Sequence, residues 1–446
     1  MAFRVVFSAI LAVPCLAIDR SFPPGFKFGA STSSYQIEGG WNATDKSESI
    51  WDRHTHAYPG IVKNDHTGDV ACDSYNKWRE DVQIAADLGL HFYRFSLSWS
   101  RIMPTGFPDK ISETGAKYYS DLIDGLLEKG IEPVVTIYHW DLPMRLQNFG
   151  GWANPLIVDW FADYARVVYS LYGDRVKTWI TINEPIILCD AAFNSGLLAP
   201  TIKDTLASYI CGKNTMLAHA KVGLYSHPIY SKEGGWPPAL EKYIAKKSQK
   251  EGYTRSKLPP FTKEEIDLVK GTYDFYAINY YTSAVIKEAK EGEQTGVWPM
   301  SGIPELGAVF TVFCSIHPEG LRKQMRWLKE NYGDLEIQIM ENGYAADNEK
   351  LEDIERVEYM EAHLEQVLLA IKEDGINVTA YTAWSLMDNF EWNEGYNLKF
   401  GLYNVDFNDD SRPRTPRVSA KYYASVIKKH SLDVGKEKYK VVFDEL

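Results

Sequence analysis

Residues 178–185, Thr-Trp-Ile-Thr-Ile-Asn-Glu-Pro, read as a short buried strand that ends on an acid. Trp179, Ile180 and Ile182 are strand formers, and Thr178 and Thr181 suit a pleated surface. Pro185 has no amide hydrogen and forbids further ladder pairing, so Asn183 and Glu184 fall at the C-terminal end. Residues 335–340, Leu-Glu-Ile-Gln-Ile-Met, repeat the design and are closed by Glu341-Asn342-Gly343. In a parallel α/β barrel the C-terminal strand ends all face one mouth. Two strand-terminal glutamates would then look at each other across one pocket, and facing carboxylates are what glycoside hydrolysis needs.

The rest of the chain fits that architecture up to a point. Short apolar strands at 26–30, 91–97, 133–137, 178–182, 273–278, 335–340 and 377–383 alternate with helical patterns at 75–89, 118–129, 157–172 and 359–373. This alternation is the signature of an α/β fold, here a (β/α)8 TIM barrel. Glycines 89, 130 and 375 stop three of the helices. No internal repeat, low-complexity run or clear interdomain linker appears. One count fails. Between 186 and 272 there is a helical pattern at 206–222 and a polar, basic run at 232–257, but no strand. An eight-stranded barrel needs a fifth stave there to close.

The two glutamates need opposite environments. A nucleophilic carboxylate must stay ionised, so it wants cationic and hydroxyl neighbours. Arg94 and Tyr281, both near strand ends, are the candidates. The acid must stay protonated near neutral pH, which burial and a nearby negative charge achieve. Gln36, His139, Asn183, Trp384, Glu391 and Trp392 also fall at strand ends. They supply donors, acceptors and flat apolar faces, the inventory that a polyhydroxylated ligand requires. Taken singly, His139 and the tryptophans read as core; their gathering at one barrel end is what points to a site.

The 446 residues and 45% hydrophobic content suffice for one large domain over 18–431, with a tail at 432–446. A net charge of −12 argues against nucleic acid, whose phosphates would be repelled. Residues 1–17 read as a secretory leader with a weak basic start at Arg4, and no other stretch is long and apolar enough to span a bilayer. Removing it leaves Cys72, Cys189, Cys211 and Cys314, from which one or two disulfides can form in an oxidising compartment. Their spacing is nothing like a zinc site, and neither metal nor cofactor is expected. Asn42 and Asn377 begin glycosylation sequences, the second at a strand where burial would block it. The ending Phe443-Asp-Glu-Leu446 is similar to a retention signal of the endoplasmic reticulum, an alternative to secretion.

Between residues 22 and 431 the chain resembles glycoside hydrolase family one, the (β/α)8 group of β-glucosidases, lactase-like enzymes and myrosinases. The motifs are Phe28-Gly-Ala-Ser-Thr-Ser-Ser-Tyr-Gln-Ile-Glu-Gly, Tyr138-His-Trp-Asp-Leu-Pro, Thr181-Ile-Asn-Glu-Pro, Ile339-Met-Glu-Asn-Gly and Trp384-Ser-Leu-Met-Asp-Asn-Phe-Glu-Trp. The resemblance implies a retaining β-glycosidase acting on a small β-glycoside, with Glu184 as acid/base and Glu341 as nucleophile. It implies sugar contacts from Gln36, His139, Asn183, Glu391 and Trp392, a platform at Trp384, and nucleophile tuning by Arg94 and Tyr281. Glu391-Trp392 matches members that take free rather than phosphorylated sugars. Plant myrosinases carry glutamine at the acid/base position, so Glu184 points to O-glycosides over thioglucosides. Two departures stand out. Members carry a longer segment, including the fifth stave, between Ala218-His219-Ala220 and Ser226-His227-Pro228. An inactive or misfolded sugar-binding relative is therefore the alternative expectation. An aglycone-side tryptophan is replaced by Phe313.

Overall fold

The computed structural model describes residues 19–43, 46–220, 226–288, 308–314, 316–346 and 350–435. The leader, the C-terminal motif and the Thr44 of the first glycosylation sequence lie outside them. Seven strands form one wholly parallel sheet. They are β1 (Lys27–Ser31), β2 (Phe92–Ser96), β3 (Glu132–Tyr138), β4 (Thr178–Ile182), β5 (Tyr276–Asn279), β8 (Ile337–Asn342) and β9 (Val378–Trp384), and β6 (Ser283–Glu288) pairs with β7 (Ala308–Cys314) in a separate antiparallel hairpin. A second small hairpin joins β10 (Tyr403–Val405) to β11 (Arg414–Pro416). The sheet order is β4-β3-β2-β1-β9-β8-β5, which leaves β4 and β5 as the two edges.

The sheet curls because its inner face is apolar and has only itself to pack on. Phe92, Val134, Ile180, Met340 and Ala380 form one buried cluster with Ala277, so both edge strands meet in the interior. Gly29 on β1 supplies the room. A Cβ there would sit 2.3 Å from the Phe92 ring, so the phenyl group occupies the volume that a side chain on β1 would take. The outer face is covered by amphipathic helices, as parallel strands require. Helix Ile157–Tyr172 falls on the expected residues. Helices Ser74–Asp87, Glu113–Glu128 and Ile354–Lys372 differ from expectation at their ends, the last two starting five residues early. Ser112 explains one of these starts, since its hydroxyl accepts from Gly115 N and caps the helix ahead of the first apolar residue.

Among the described residues no strand lies between Ile182 and Tyr276. Helices Pro185–Phe193, Thr205–Ala220, Ser226–Tyr230, Pro238–Lys250 and Lys263–Val269 occupy that stretch. The barrel is therefore a (β/α)8 architecture lacking its fifth stave. Side chains partly cover the seam. His219 Nδ1 lies 2.9 Å from Thr181 Oγ1 on the β4 edge. Tyr230 donates to Phe275 O and packs on Tyr273 and Tyr276 beside β5.

Several local expectations are corrected. Strand β5 begins at Tyr276 rather than 273, because its one ladder partner, β8, begins at Ile337 and pairs with Tyr276 first. Strand β8 runs two residues beyond 340, since Asn279 pairs with Glu341 and Asn342 with Ala383. Glu341 thus sits on the ladder itself. Asn377 is exposed just before β9, while Val378 of the same glycosylation sequence is buried and Thr379 half-buried on the strand. Of the open cysteine pairings, Cys189–Cys211 is formed, with a Cα–Cα distance of 5.5 Å, joining helix Pro185–Phe193 to helix Thr205–Ala220. Cys72 is buried and free, and the side chains of Phe313 and Cys314 lie outside the described residues.

Candidate active site

The ten side chains singled out in the sequence converge at the C-terminal rim of the sheet. Glu341, on β8, is 3% exposed. Its two oxygens have separate donors: Arg94 Nη1 at 2.6 Å from Oε1, and Tyr281 Oη at 2.6 Å from Oε2. Arg94 is itself buried on β2 and fixed by Thr136 Oγ1 and Met340 O. Burial and the charges of Glu341 and Glu184 push the Tyr281 phenol well above its ordinary value, so it remains a donor. Arg94 and Tyr281 thus fix the orientation of the Glu341 carboxyl through both of its oxygens.

Glu184 follows β4 in a left-handed backbone conformation, φ 39° and ψ 61°. Pro185 begins the next helix immediately, so the carboxyl is presented by a sharp strand-to-helix turn. Trp140 (φ 77°) and Trp392 (φ 48°) are also left-handed, a strain that non-glycine residues tolerate where surrounding packing imposes it. Burial, then the charge of Glu341, raise the Glu184 carboxyl to about 7, against smaller opposing effects of Asn279 and Arg94. Glu184 has Asn279 as its neighbour, whereas Glu341 has Arg94 and Tyr281.

The remaining groups line the floor and wall. Gln36 Nε2 donates to Asn389 Oδ1 and Phe390 O, and reaches Glu391 Oε2 at 3.3 Å. Burial and the charges of Glu341 and Glu184 lift Glu391 to about 8. His139 stacks against Trp384 and Trp392 at 5.9 and 6.0 Å. Burial and the Arg94 charge hold it neutral, well below the usual imidazole range. Asn183 joins these parts, with Oδ1 accepting from Arg94 Nη2 at 2.7 Å and Nδ2 lying 3.0 Å from His139 Nε2. Asn342 behaves differently. It turns back to Tyr280 O, Tyr359 and Tyr381 and locks the end of β8 from behind.

Three contributors were not singled out in the sequence. Asn279, at the end of β5, lies 2.9 Å from Glu184 Oε1. Trp140 donates from Nε1 to Asn183 O and packs on Trp392 at 4.8 Å. Asp141 is buried, accepts from Ser34 Oγ at 2.8 Å and so ties the loop carrying His139 to the one carrying Gln36. All three adjoin residues that were chosen, and the strand-end rule that found Tyr281 and His139 applies equally to them.

Two carboxyls after β4 and on β8, set among side chains that offer hydrogen-bond donors, acceptors and flat aromatic faces, make this a glycosidase site on a barrel scaffold. The sequence model of Glycosyl hydrolase family 1 matches residues 18–232 and 221–432, two stretches that overlap within the segment that lacks the fifth stave. Myrosinase 1 of Brevicoryne brassicae is 41% identical over 463 residues, covering 92% of this chain and 99% of the relative. The cytosolic beta-glucosidase of Homo sapiens is 38% identical over 467 residues, covering 93% and 99%. Among solved structures, aphid myrosinase superposes with a TM-score of 0.87 at 41% identity, covering 92% of this chain and all of that one. The family 1 b-glucosidase from Thermotoga maritima gives 0.83 at 34%, covering 94% and all of that chain. The chain belongs to glycosyl hydrolase family 1. It is a retaining β-glycosidase of the O-glycosyl hydrolase, β-glucosidase type.

Proposed function

We propose that the chain hydrolyses terminal β-D-glucosides by double displacement, with Glu341 as nucleophile and Glu184 as acid/base. The observation that carries this is the contrast between Glu341, gripped by Arg94 and Tyr281, and Glu184, raised to about 7. A Glu341 oxygen attacks the anomeric carbon as the glycosidic C–O bond breaks. Glu184 gives its proton to the leaving oxygen. The ester that forms neutralises Glu341, which removes the charge holding the Glu184 proton. Glu184 then takes a proton from water, whose oxygen attacks the same carbon and frees Glu341. Gln36, His139, Asn183, Glu391 and Trp392 hold the sugar hydroxyls, and Trp384 is the platform. Galactosides and fucosides are the nearest alternatives.

The 41% identity to a protein named Myrosinase 1 favours a second reading, a thioglucosidase. Glu184 weighs against it. A thioglucoside with a good leaving group needs no proton, whereas an alkyl O-glucoside does. Steady-state hydrolysis of 4-nitrophenyl β-glucoside, galactoside and fucoside ranks the sugars, and octyl β-glucoside beside 4-nitrophenyl 1-thio-β-glucoside tests the thioglucosidase reading. We expect kcat/KM highest for the glucoside; preference for the thioglucoside overturns the O-glycosidase reading, and no turnover by a cooperatively melting protein points to the inactive relative. We further propose passage through the secretory route. Cys189–Cys211 supports it, because disulfides persist in oxidising compartments, as do the exposed Asn42 and Asn377. Endoglycosidase-sensitive mass on the expressed protein is the check.

A further inference from the structure

Glu184 follows β4 on one side of the seam and Asn279 ends β5 on the other. No ladder hydrogen bond joins these two strands, because each is a sheet edge. Their relation at the mouth must be set by side chains. Asn279 Nδ2 lies 2.9 Å from Glu184 Oε1 and 3.3 Å from Asn183 Oδ1. Neighbouring groups settle which way these amides face. The Arg94 guanidinium only donates, so the Asn183 atom 2.7 Å from Arg94 Nη2 is the oxygen. An oxygen facing Asn279 calls for a donor, so Asn279 turns its NH2 group toward Asn183 and Glu184 together. The same logic makes Asn183 Nδ2 the donor to His139 Nε2, which leaves the imidazole proton on Nδ1.

We propose that Asn279 is a positioning residue for the acid/base group: reaching across the open seam between β4 and β5, its amide fixes the Glu184 carboxyl against Asn183. This assignment rests on the acid/base role proposed for Glu184. Asn279 completes a continuous chain from Glu184 through Asn183 and Arg94 to Glu341, so both carboxyls hang on one network. An amide N–H bonds a carboxylate more strongly than a carboxylic acid, so Asn279 favours the ionised form. That matters most in the second displacement, when Glu184 must accept a proton from water and orient it. In the first displacement Glu184 is protonated and an activated leaving group needs little help. Asn279 should therefore serve water attack more than glycosylation.

The test uses Asn279→Leu, which keeps the volume and removes the donor, with Asn279→Gln as the donor-retaining control. The first readout is the titration of the Glu184 carboxyl by 13C NMR on the full chain labelled at glutamate, assigned with Glu184→Gln. We expect the midpoint to rise by roughly one pH unit in Asn279→Leu and to return toward wild type in Asn279→Gln. The second readout is kinetics on 2,4-dinitrophenyl β-glucoside, where water attack limits turnover. We expect kcat and KM to fall together by about tenfold in Asn279→Leu, leaving kcat/KM near wild type. Matched thermal melts identify folded variants, and Asn279→Ser takes the place of the leucine variant if that one does not fold. An unmoved midpoint in a folded variant, or an equal loss in kcat and kcat/KM, overturns the role of Asn279 while leaving the glycosidase reading intact. A wild type without glucoside turnover overturns the acid/base role and this assignment with it.

Discussion

If burial and the charge of Glu341 hold a proton on Glu184, then replacing that carboxyl with a neutral amide must stabilise the folded chain, and only above a definite pH. The folded carboxyl titrates near 7, against an ordinary value of 4.5. Below about pH 4.5 it is protonated in both folded and unfolded chains and costs nothing. Between 4.5 and 7 the unfolded chain ionises while the folded one keeps its proton, so stability falls as pH rises. Above 7 both are ionised and the full penalty is present. A gap of that size corresponds to about 3 kcal/mol at most. With an unfolding entropy of roughly 2 cal/mol/K per residue, a chain of this length shifts its melting temperature by about 1 °C per kcal/mol. Glu184→Gln should thus melt level with wild type at pH 4 and about 2–3 °C higher at pH 8. Paired thermal melts at one scan rate from pH 4 to 8 provide the assay. A Gln variant no more stable at pH 8 than at pH 4, relative to wild type, would refute the claim that the site holds this carboxyl protonated.

Three further outcomes follow from the same geometry. Glu341→Gln removes the nucleophile and should lower kcat on 4-nitrophenyl β-glucoside by 10⁴-fold or more, about the scale of losing a covalent nucleophile. Arg94→Met strands the buried Glu341 carboxylate without its cation and should cost on the order of 3 kcal/mol of stability along with turnover, read by urea denaturation and steady-state kinetics. Reducing Cys189–Cys211 releases a crosslink spanning 22 positions, a loss of about 3 kcal/mol by loop-closure entropy, seen as a drop of roughly 3 °C in a melt with and without reductant.

Much of this was legible in the sequence because barrel chemistry is tied to strand ends. A strand pattern that stops at Glu184 or Glu341 states where the side chain goes before any contact is known, and Arg94, Tyr281 and His139 follow by the same rule. Even the missing stave was visible, since 186–272 offers no run of strand formers. The failures are of two kinds. Boundaries such as the start of β5 and the end of β8 depend on partners: Tyr276 is the first residue to find one, in Ile337, and Glu341 pairs with Asn279. Side-chain roles within a motif depend on direction. Asn183 and Asn342 occupy like positions beside the two glutamates, yet one faces the pocket and the other the core. The strand-end rule reaches Asn279 as well, but its partners, Glu184 and Asn183 across the seam, depend on two edges that share no ladder.

The most direct measurement is mechanism-based trapping with 2,4-dinitrophenyl 2-deoxy-2-fluoro-β-glucoside, followed by peptide mass analysis. The fluorine slows both displacements and the good leaving group restores the first, so a double-displacement enzyme accumulates its glycosyl ester. The account predicts time-dependent loss of activity and one fluoroglucosyl group on the peptide containing Glu341. Hydrolysis without labelling, or a label on any other residue, would contradict it.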